Sequence, residues 1–163
     1  MTLATNWVDN IGMFVNAAYL NQVGTEVNGN AAAIASIFSG LQQAVVDTNE
    51  TTSSTTYSDL TTVTDKVDVT VGASGKVLVI IGALWSTGAG SGYLSYAASG
   101  ANTITASDGK CTSQGSPSTA TQAIGRAFVE TGLTPGVTTF KLKYRVNVGS
   151  SSFANRRIAV IPL

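Results

Sequence analysis

The chain has 163 residues, 44% of them hydrophobic and only 11% charged, with nine basic residues against nine acidic ones. That length makes one ordinary domain, or one small domain with an extension. The absence of histidine excludes Ser-His-Asp and Cys-His catalysis, His-ligated metals and the usual neutral-pH proton shuttle, and the single cysteine, Cys111, excludes an intrachain disulfide.

About 25% charged residues is usual for a soluble protein. A surface this poor in charge points either to burial against other subunits or to a neutral, well-hydrated Thr/Ser coat. The net charge of zero also hides a split. Residues 1–65 contain Asp9, Glu26, Asp47, Glu50, Asp59 and Asp65 but no lysine or arginine. Every basic residue follows, against only Asp68, Asp108 and Glu130. Such asymmetry suggests two parts with different neighbours.

Residues 1–16 hold Trp7, Ile11, Met13, Phe14 and Val15. This is much apolar surface to leave in water. It either packs back on the chain's own helix or anchors the chain to a partner through Trp7, Ile11 and Phe14. The segment lacks a basic leader with an apolar core, so no signal peptide is expected. The apolar run from Val77 to Trp85 is far too short to span a bilayer, so no membrane partner is expected and synthesis is expected in a cytoplasm.

From Leu20 a heptad appears. Leu20, Val27, Ile34 and Leu41 are spaced by seven, and Val23, Asn30, Ile37 and Ala44 follow each by three. This is an a/d seam with Asn30 as its polar member, and Ile at both Ile34 and Ile37 favours three strands over two. The predicted self-associating helix runs from Ala17 to Val46, roughly 45 Å at 1.5 Å per residue. Gly24, Gly29 and Gly40 oppose it, each costing about 1 kcal/mol against Ala. A helical hairpin broken at Asn28-Gly29-Asn30 is the competing reading. The domain border is accordingly placed at 46: residues 1–46 are an anchor and oligomerising segment, and 47–163 a β head.

The Thr-rich stretch 47–65 predicts an ordered strand or strand pair pinned by Tyr57 and Leu60. Val67–Val71 alternates cleanly as a strand. Lys76–Trp85 is a long, mostly apolar strand, buried on both faces or at a subunit contact. Tyr93–Ala98 and Asn102–Ala106 predict two shorter strands, and the polar Ser107–Thr121 a surface loop. Ala123–Thr131, Thr138–Asn147 and Phe153–Ile161 complete the set. Leu133-Thr134-Pro135-Gly136 is a turn, with Pro135 fixing one position and Gly136 free to take positive φ. Roughly eight strands at this spacing imply an antiparallel β-sandwich or jelly roll.

Catalytic and cofactor signatures are missing. No phosphate-binding GxxxxGK[ST] element, no calcium-type acidic run and no placeable carboxylate pair is present, so neither an enzyme nor a cofactor or metal site is expected. Lys141, Lys143 and Arg145 alternate with Leu142, Tyr144 and Val146, which puts the cations on one strand face. Arg156 and Arg157 lie on a predicted neighbouring strand. The group is either a solvated outer face or a patch for an acidic partner. Nucleic acid is not the expected partner, because the patch lacks interleaved exposed aromatics and the net charge is zero.

The segments FVETGLTPGVTTFKLKYRV and FANRRIAVIPL resemble small virion proteins of tailed phages infecting actinobacteria. NWVDNIGMFVNAAYLNQVGTEVN is similar to their Trp-containing leader and first helix, and NETTSSTTYSDL to the Thr-rich strand that opens their β domain. The likeness covers nearly the whole chain. Its motifs are structural phrases, and Gly24, Gly29 and Gly40 make this helix less regular than a fibre shaft. Family members are regarded as capsid decoration, head-fibre or minor tail proteins. The resemblance therefore implies a trimeric virion component whose partners are its own copies and the major capsid protein or another virion protein. Two functions follow as expectations. One is a homotrimer decorating the capsid exterior; the other is a tail-fibre head with exposed aromatics such as Trp85, Tyr93 or Tyr96 lining a groove for a host-surface glycan, although Trp85, which ends the most apolar strand, is expected rather in the core.

Overall fold

The computed structural model describes residues 16–115 and 118–163. The chain divides into two compact units, Met1–Ser39 and Gly40–Leu163.

In the first unit, helix α1 spans Ala17–Ser39. Asn16 starts it: its Oδ1 accepts the backbone N–H of Tyr19 at 2.9 Å, satisfying one of the first-turn donors that have no partner within the helix. The helix runs unbroken through Gly29, so the hairpin reading does not hold. At 23 residues it is about 35 Å long. It stops seven residues before Val46. Gly40 ends it, and Gln42–Val46 forms strand β1 instead. The predicted border at 46 therefore moves to Ser39/Gly40. Val45 and Val46 are β-branched, and pairing with a long neighbouring strand overrides the weak helical preference of Gln42-Gln43-Ala44.

The second unit adds β2 (Glu50–Thr52), β3 (Lys66–Val71), β4 (Val77–Thr87), β5 (Ser91–Gly100), β6 (Cys111–Gly115), β7 (Ser118–Glu130), β8 (Gly136–Val146) and β9 (Ser151–Pro162). The strands form two antiparallel sheets, ordered β1-β9-β4-β7 and β3-β8-β5-β6, with β2 also on β9. The pairs β1·β9, β3·β8, β4·β7 and β5·β6 are nested: the first main strand meets the last, and the innermost two meet each other. One long hairpin rolled over itself gives this pattern, which is the jelly roll. The fold is thus an antiparallel β-sandwich with an N-terminal helix.

Alternation builds the core. Val67, Val69 and Val71 of β3 point inward, as do Val79, Ile81 and Trp85 of β4 and Phe140, Leu142 and Tyr144 of β8. Trp85 and Tyr144 flank Phe153 at ring-centroid distances of 5.4 and 4.9 Å. The turn before β8 takes the expected conformation, with Gly136 at φ 142°.

Two predicted features differ. Asn102–Ala106 is not a strand; only Ile104 bridges to Ala98. Ser107–Thr121 is not a loop. It contains a 3-10 turn (Asp108–Lys110), β6 and the start of β7. Strand β6 is a polar edge strand held by its backbone to β5, and its Thr112 and Gln114 are buried without any hydrophobic alternation to announce them.

A bulge in β9 has the largest local effect. Gly82 of β4 faces Arg157, but Leu84 faces Ala154, so β9 carries one extra residue between them. Asn155 absorbs it at φ 45°, a left-handed conformation that Asn tolerates better than branched residues do. The extra residue resets the alternation: Arg156 turns into the core and Arg157 turns out. Asn155→Val is expected to destabilise the head by about 1–2 kcal/mol, while Asn155→Gly stays within about 0.5 kcal/mol of the parent. Urea unfolding of both variants checks this; equal losses would remove the backbone explanation.

Candidate functional site

Helix α1 carries the predicted seam. Leu20 and Val23 are half-buried, whereas Val27 and Ile34 are 45% and 58% exposed. Asn30 is exposed beside them. Ile37 lies in the helix with its side chain outside the described residues, and Leu41 lies past the helix end and is no longer part of its stripe. The anchor residues Trp7, Ile11 and Phe14 fall outside the described residues. Gln22 and Glu26, one turn apart, are joined by a side-chain hydrogen bond of 3.0 Å on the helix surface.

The cation row on β8 occupies the outer face of its sheet, and carboxylates from other segments reach it. Lys141 and Lys143 both bond Asp59, each at 2.7 Å. Burial raises the Asp59 pKa, but hydrogen bonds from the two lysines outweigh it and hold the carboxyl below its ordinary range. Arg145 grips Asp108 with two bonds, Nε at 3.0 Å and Nη2 at 2.5 Å. Its guanidinium stacks 3.7 Å from the Tyr93 ring centre and 5.4 Å from that of Tyr57. Tyr57 donates its hydroxyl to the same Asp108 at 2.9 Å. Three cations thus meet two carboxylates, and the row is nearly neutral.

Arg156 does not belong to that row. It is fully buried in the opposite sheet. Its Nη1 donates to Glu50 Oε2 at 2.5 Å and its Nη2 to the Thr62 carbonyl at 3.4 Å, and its Nε lies 3.9 Å from Asp65 Oδ2. Thr62 donates both its backbone N–H and its hydroxyl to Glu50. Tyr144 donates its hydroxyl to Asp65 at 2.5 Å. Burial raises Glu50, yet its bonds from Arg156 and Thr62 win and keep it below the ordinary glutamate value. For Asp65 burial wins over Tyr144 and Arg156, and its carboxyl titrates above the ordinary aspartate value. The five basic residues grouped from sequence therefore divide three ways: a paired row, one buried cation and the exposed Arg157. Nothing in the sequence pattern marked Glu50 and Asp65 as partners, because the bulge that brings Arg156 to them is invisible as periodicity.

A third cluster lies on the far side of the sandwich. Lys110 reaches both oxygens of Glu130 at 2.5 and 2.6 Å, and Tyr96 donates its hydroxyl to the same carboxylate. Cys111 is buried, and burial pushes its thiol up. Of the aromatics proposed for a glycan groove, Trp85 and Tyr96 are buried core residues and Tyr93 is half-buried beneath Arg145. Among the described residues, no three Cys, Asp or Glu side chains gather as a metal site would require.

No family model and no curated protein sequence matches the chain. Solved structures do. VP2 of an infectious bursal disease virus subviral particle aligns at TM-score 0.50 and 12% identity, over 75% of this chain and 32% of the VP2 chain. The Eiger TNF of S. frugiperda aligns at TM-score 0.43 and 14% identity, over 77% and 86% of the two chains. Murine APRIL aligns at 0.42 and 13%, over 74% and 100%. This chain spans about a third of the VP2 length, and at these identities the likeness is one of fold.

The Arg156 cluster yields a stability prediction. Glu50→Ala is expected to cost about 3–5 kcal/mol, because it leaves a buried guanidinium without its main counter-charge. Asp65→Asn is expected to cost less than about 2 kcal/mol. The two carboxyls also act with opposite sign. In the folded chain Asp65 holds its proton more tightly than when unfolded, so its contribution is lost as pH rises through its raised value. Glu50 contributes above the ordinary carboxyl range and is lost as pH falls through its lowered value. Denaturant melts at pH 4 and pH 7 should show Asp65→Asn gaining on the parent as pH rises. A pH-independent difference would contradict the assignment.

Proposed function

We propose that the chain is a structural, non-enzymatic subunit of a tailed-phage virion: a homotrimer mounted on the capsid exterior as a decoration or head-fibre protein. The observation that carries this reading is the α1 stripe. Val27 and Ile34, at heptad spacing on α1, are 45% and 58% exposed. Associating helices bury such a stripe, and Ile at both seam positions, Ile34 and Ile37, favours three chains. Asn30 then serves to fix the register of the seam.

Further support comes from the jelly-roll fold, which this chain has in common with VP2 of a viral particle, and from the resemblance of its leader and C-terminal strands to phage virion proteins. In this reading the leader docks on the major capsid protein or another virion protein through Trp7, Ile11 and Phe14. The head projects outward. Trimerisation multiplies three weak anchors into one firm attachment through effective concentration. The protein is made in the host cytoplasm and ends in the virion.

Sedimentation at micromolar concentration should give three times the 16.7 kDa chain mass. Val27→Lys combined with Ile34→Lys should shift that species toward monomer; a parent that is already monomeric sinks the proposal. Deleting residues 1–15 should remove the protein from purified particles while the head remains folded. An averaged electron-microscopy map of the particle decides its position: density on the shell supports decoration, and density confined to the tail replaces that reading with the minor-tail one.

A further inference from the structure

The sequence of β4 is apolar from Val77 to Trp85 apart from Gly82, yet only alternate residues enter the core. Leu78, Ile80 and Leu84 point to the other face. Directly opposite them on β7 stand Val129, Ala127 and Ala123. On the other side, β9 continues the same rows with Ile161 beside Leu78 and Ala159 beside Ile80. The outer face of the β1-β9-β4-β7 sheet is therefore apolar across several strands. Ile80 is 40% exposed, Val45 47% and Val129 59%.

This is unlike the other sheet, whose outer face carries Lys141, Lys143 and Arg145 with their carboxylates. Strands lie about 4.8 Å apart and rise about 3.3 Å per residue. The rows from Leu78 to Leu84 across β7, β4 and β9, three strand widths, thus cover roughly 300 Å² in projection. Large exposed apolar patches on a monomer mark interaction sites. A stable interface takes about 800 Å² per partner, and this face is large enough to form the centre of one.

The face is also shaped for close approach. Gly82 and Gly125 lie side by side at its middle. A β-carbon on Gly125 would come within 3.0 Å of the Ile81 carbonyl, so the strip stays bare and leaves a dimple beside Leu84 and Arg157.

Charge identifies the occupant. Arg157 stands on this face opposite Val45, and Asp47 lies exposed just beyond β1. Neither has an ion-pair partner among the described residues. One cation and one carboxylate, both unpaired and near the same edge, complement a second copy of the same surface.

We propose that the outer face of the β1-β9-β4-β7 sheet is the surface through which the heads of neighbouring copies pack, with Arg157 pairing the partner's Asp47. This rests on the self-association proposed above and assigns it a second contact, outside the helix. The test is sedimentation of the full chain with Ile80→Lys and, separately, Ala127→Lys; Val137→Lys, on the outer face of the other sheet, is the control. Near-ultraviolet circular dichroism of buried Trp85 verifies folding. A variant that loses this signal is replaced by Val129→Lys, at a more exposed site of the same face. The expected result is a parent trimer whose dissociation constant rises at least about tenfold in each face variant and stays unchanged in Val137→Lys. A trimer that face variants and control leave equally intact overturns the head contact and spares the helical seam. A monomeric parent overturns both. A face-dependent oligomer that is absent from virions upholds the contact and refutes the virion role.

Discussion

One extra residue in β9 determines what two adjacent arginines do. Without the bulge at Asn155, strict alternation would send Arg157 into the core and leave Arg156 outside. With it, Arg156 enters the sandwich and meets Glu50 from β2 and Asp65 from the segment before β3. The long excursion from β1 to β3 has few large apolar groups to bury. Its attachment depends instead on this buried charge, together with Leu60 in the core and backbone bonds such as Ser58 to Tyr144. A buried ion pair adds little net stability over a well-packed apolar core, but losing one member is costly. The cluster therefore acts mainly as a constraint on where that segment can lie.

The same bulge leaves Arg157 on the opposite face, where it is a lone cation among apolar rows. The two outer faces of the sandwich thus differ in kind. On the β8 side, Asp59 and Asp108 from distant segments pair with Lys141, Lys143 and Arg145 and leave the row nearly neutral. On the β4 side, small and aliphatic residues present a nearly uncharged surface. An enzyme or ligand site normally gathers polar groups in a concave pocket. Here the β8 cations are held in ion pairs, and the outer β4 face is largely apolar apart from Arg157. That arrangement suits contact between protein surfaces.

Much of the sandwich was legible in the sequence because strand alternation survives translation into structure. The rows Val67-Val69-Val71 and Leu142-Tyr144-Val146 point inward as period two requires. The turn at Pro135-Gly136 was readable from turn chemistry alone. Three things were not. Strand β6 carries no hydrophobic signal because backbone pairing at an edge holds it. The heptad ran past the true helix end because Leu41 kept the phase after Gly40 had stopped the helix. The basic group was misread because a period-two argument cannot see a bulge, so Arg156 looked like a surface residue. The continuous apolarity of β4 was ambiguous for a related reason. Burial on both faces and exposure at a contact give the same residue pattern, and the alternating burial of β4 in the head, with Ile80 40% exposed, could not be read from it.

The low charge content follows from this division. Among the described residues, five cations and five carboxylates are already engaged in ion pairs: Lys110, Lys141, Lys143, Arg145 and Arg156 with Glu130, Asp59, Asp108, Glu50 and Asp65. Lys66, Lys76, Arg126 and Arg157 and the acidic Glu26, Asp47 and Asp68 stand outside those pairs. The apolar outer sheet face and the exposed residues of the heptad stripe are two adhesive surfaces on one chain. The proposed closed ring would remove both together, because a point-group assembly buries the same patches on every subunit and leaves none to propagate. The neutral Thr- and Ser-rich segments and the locally paired β8 face are then what such an assembly shows to solvent.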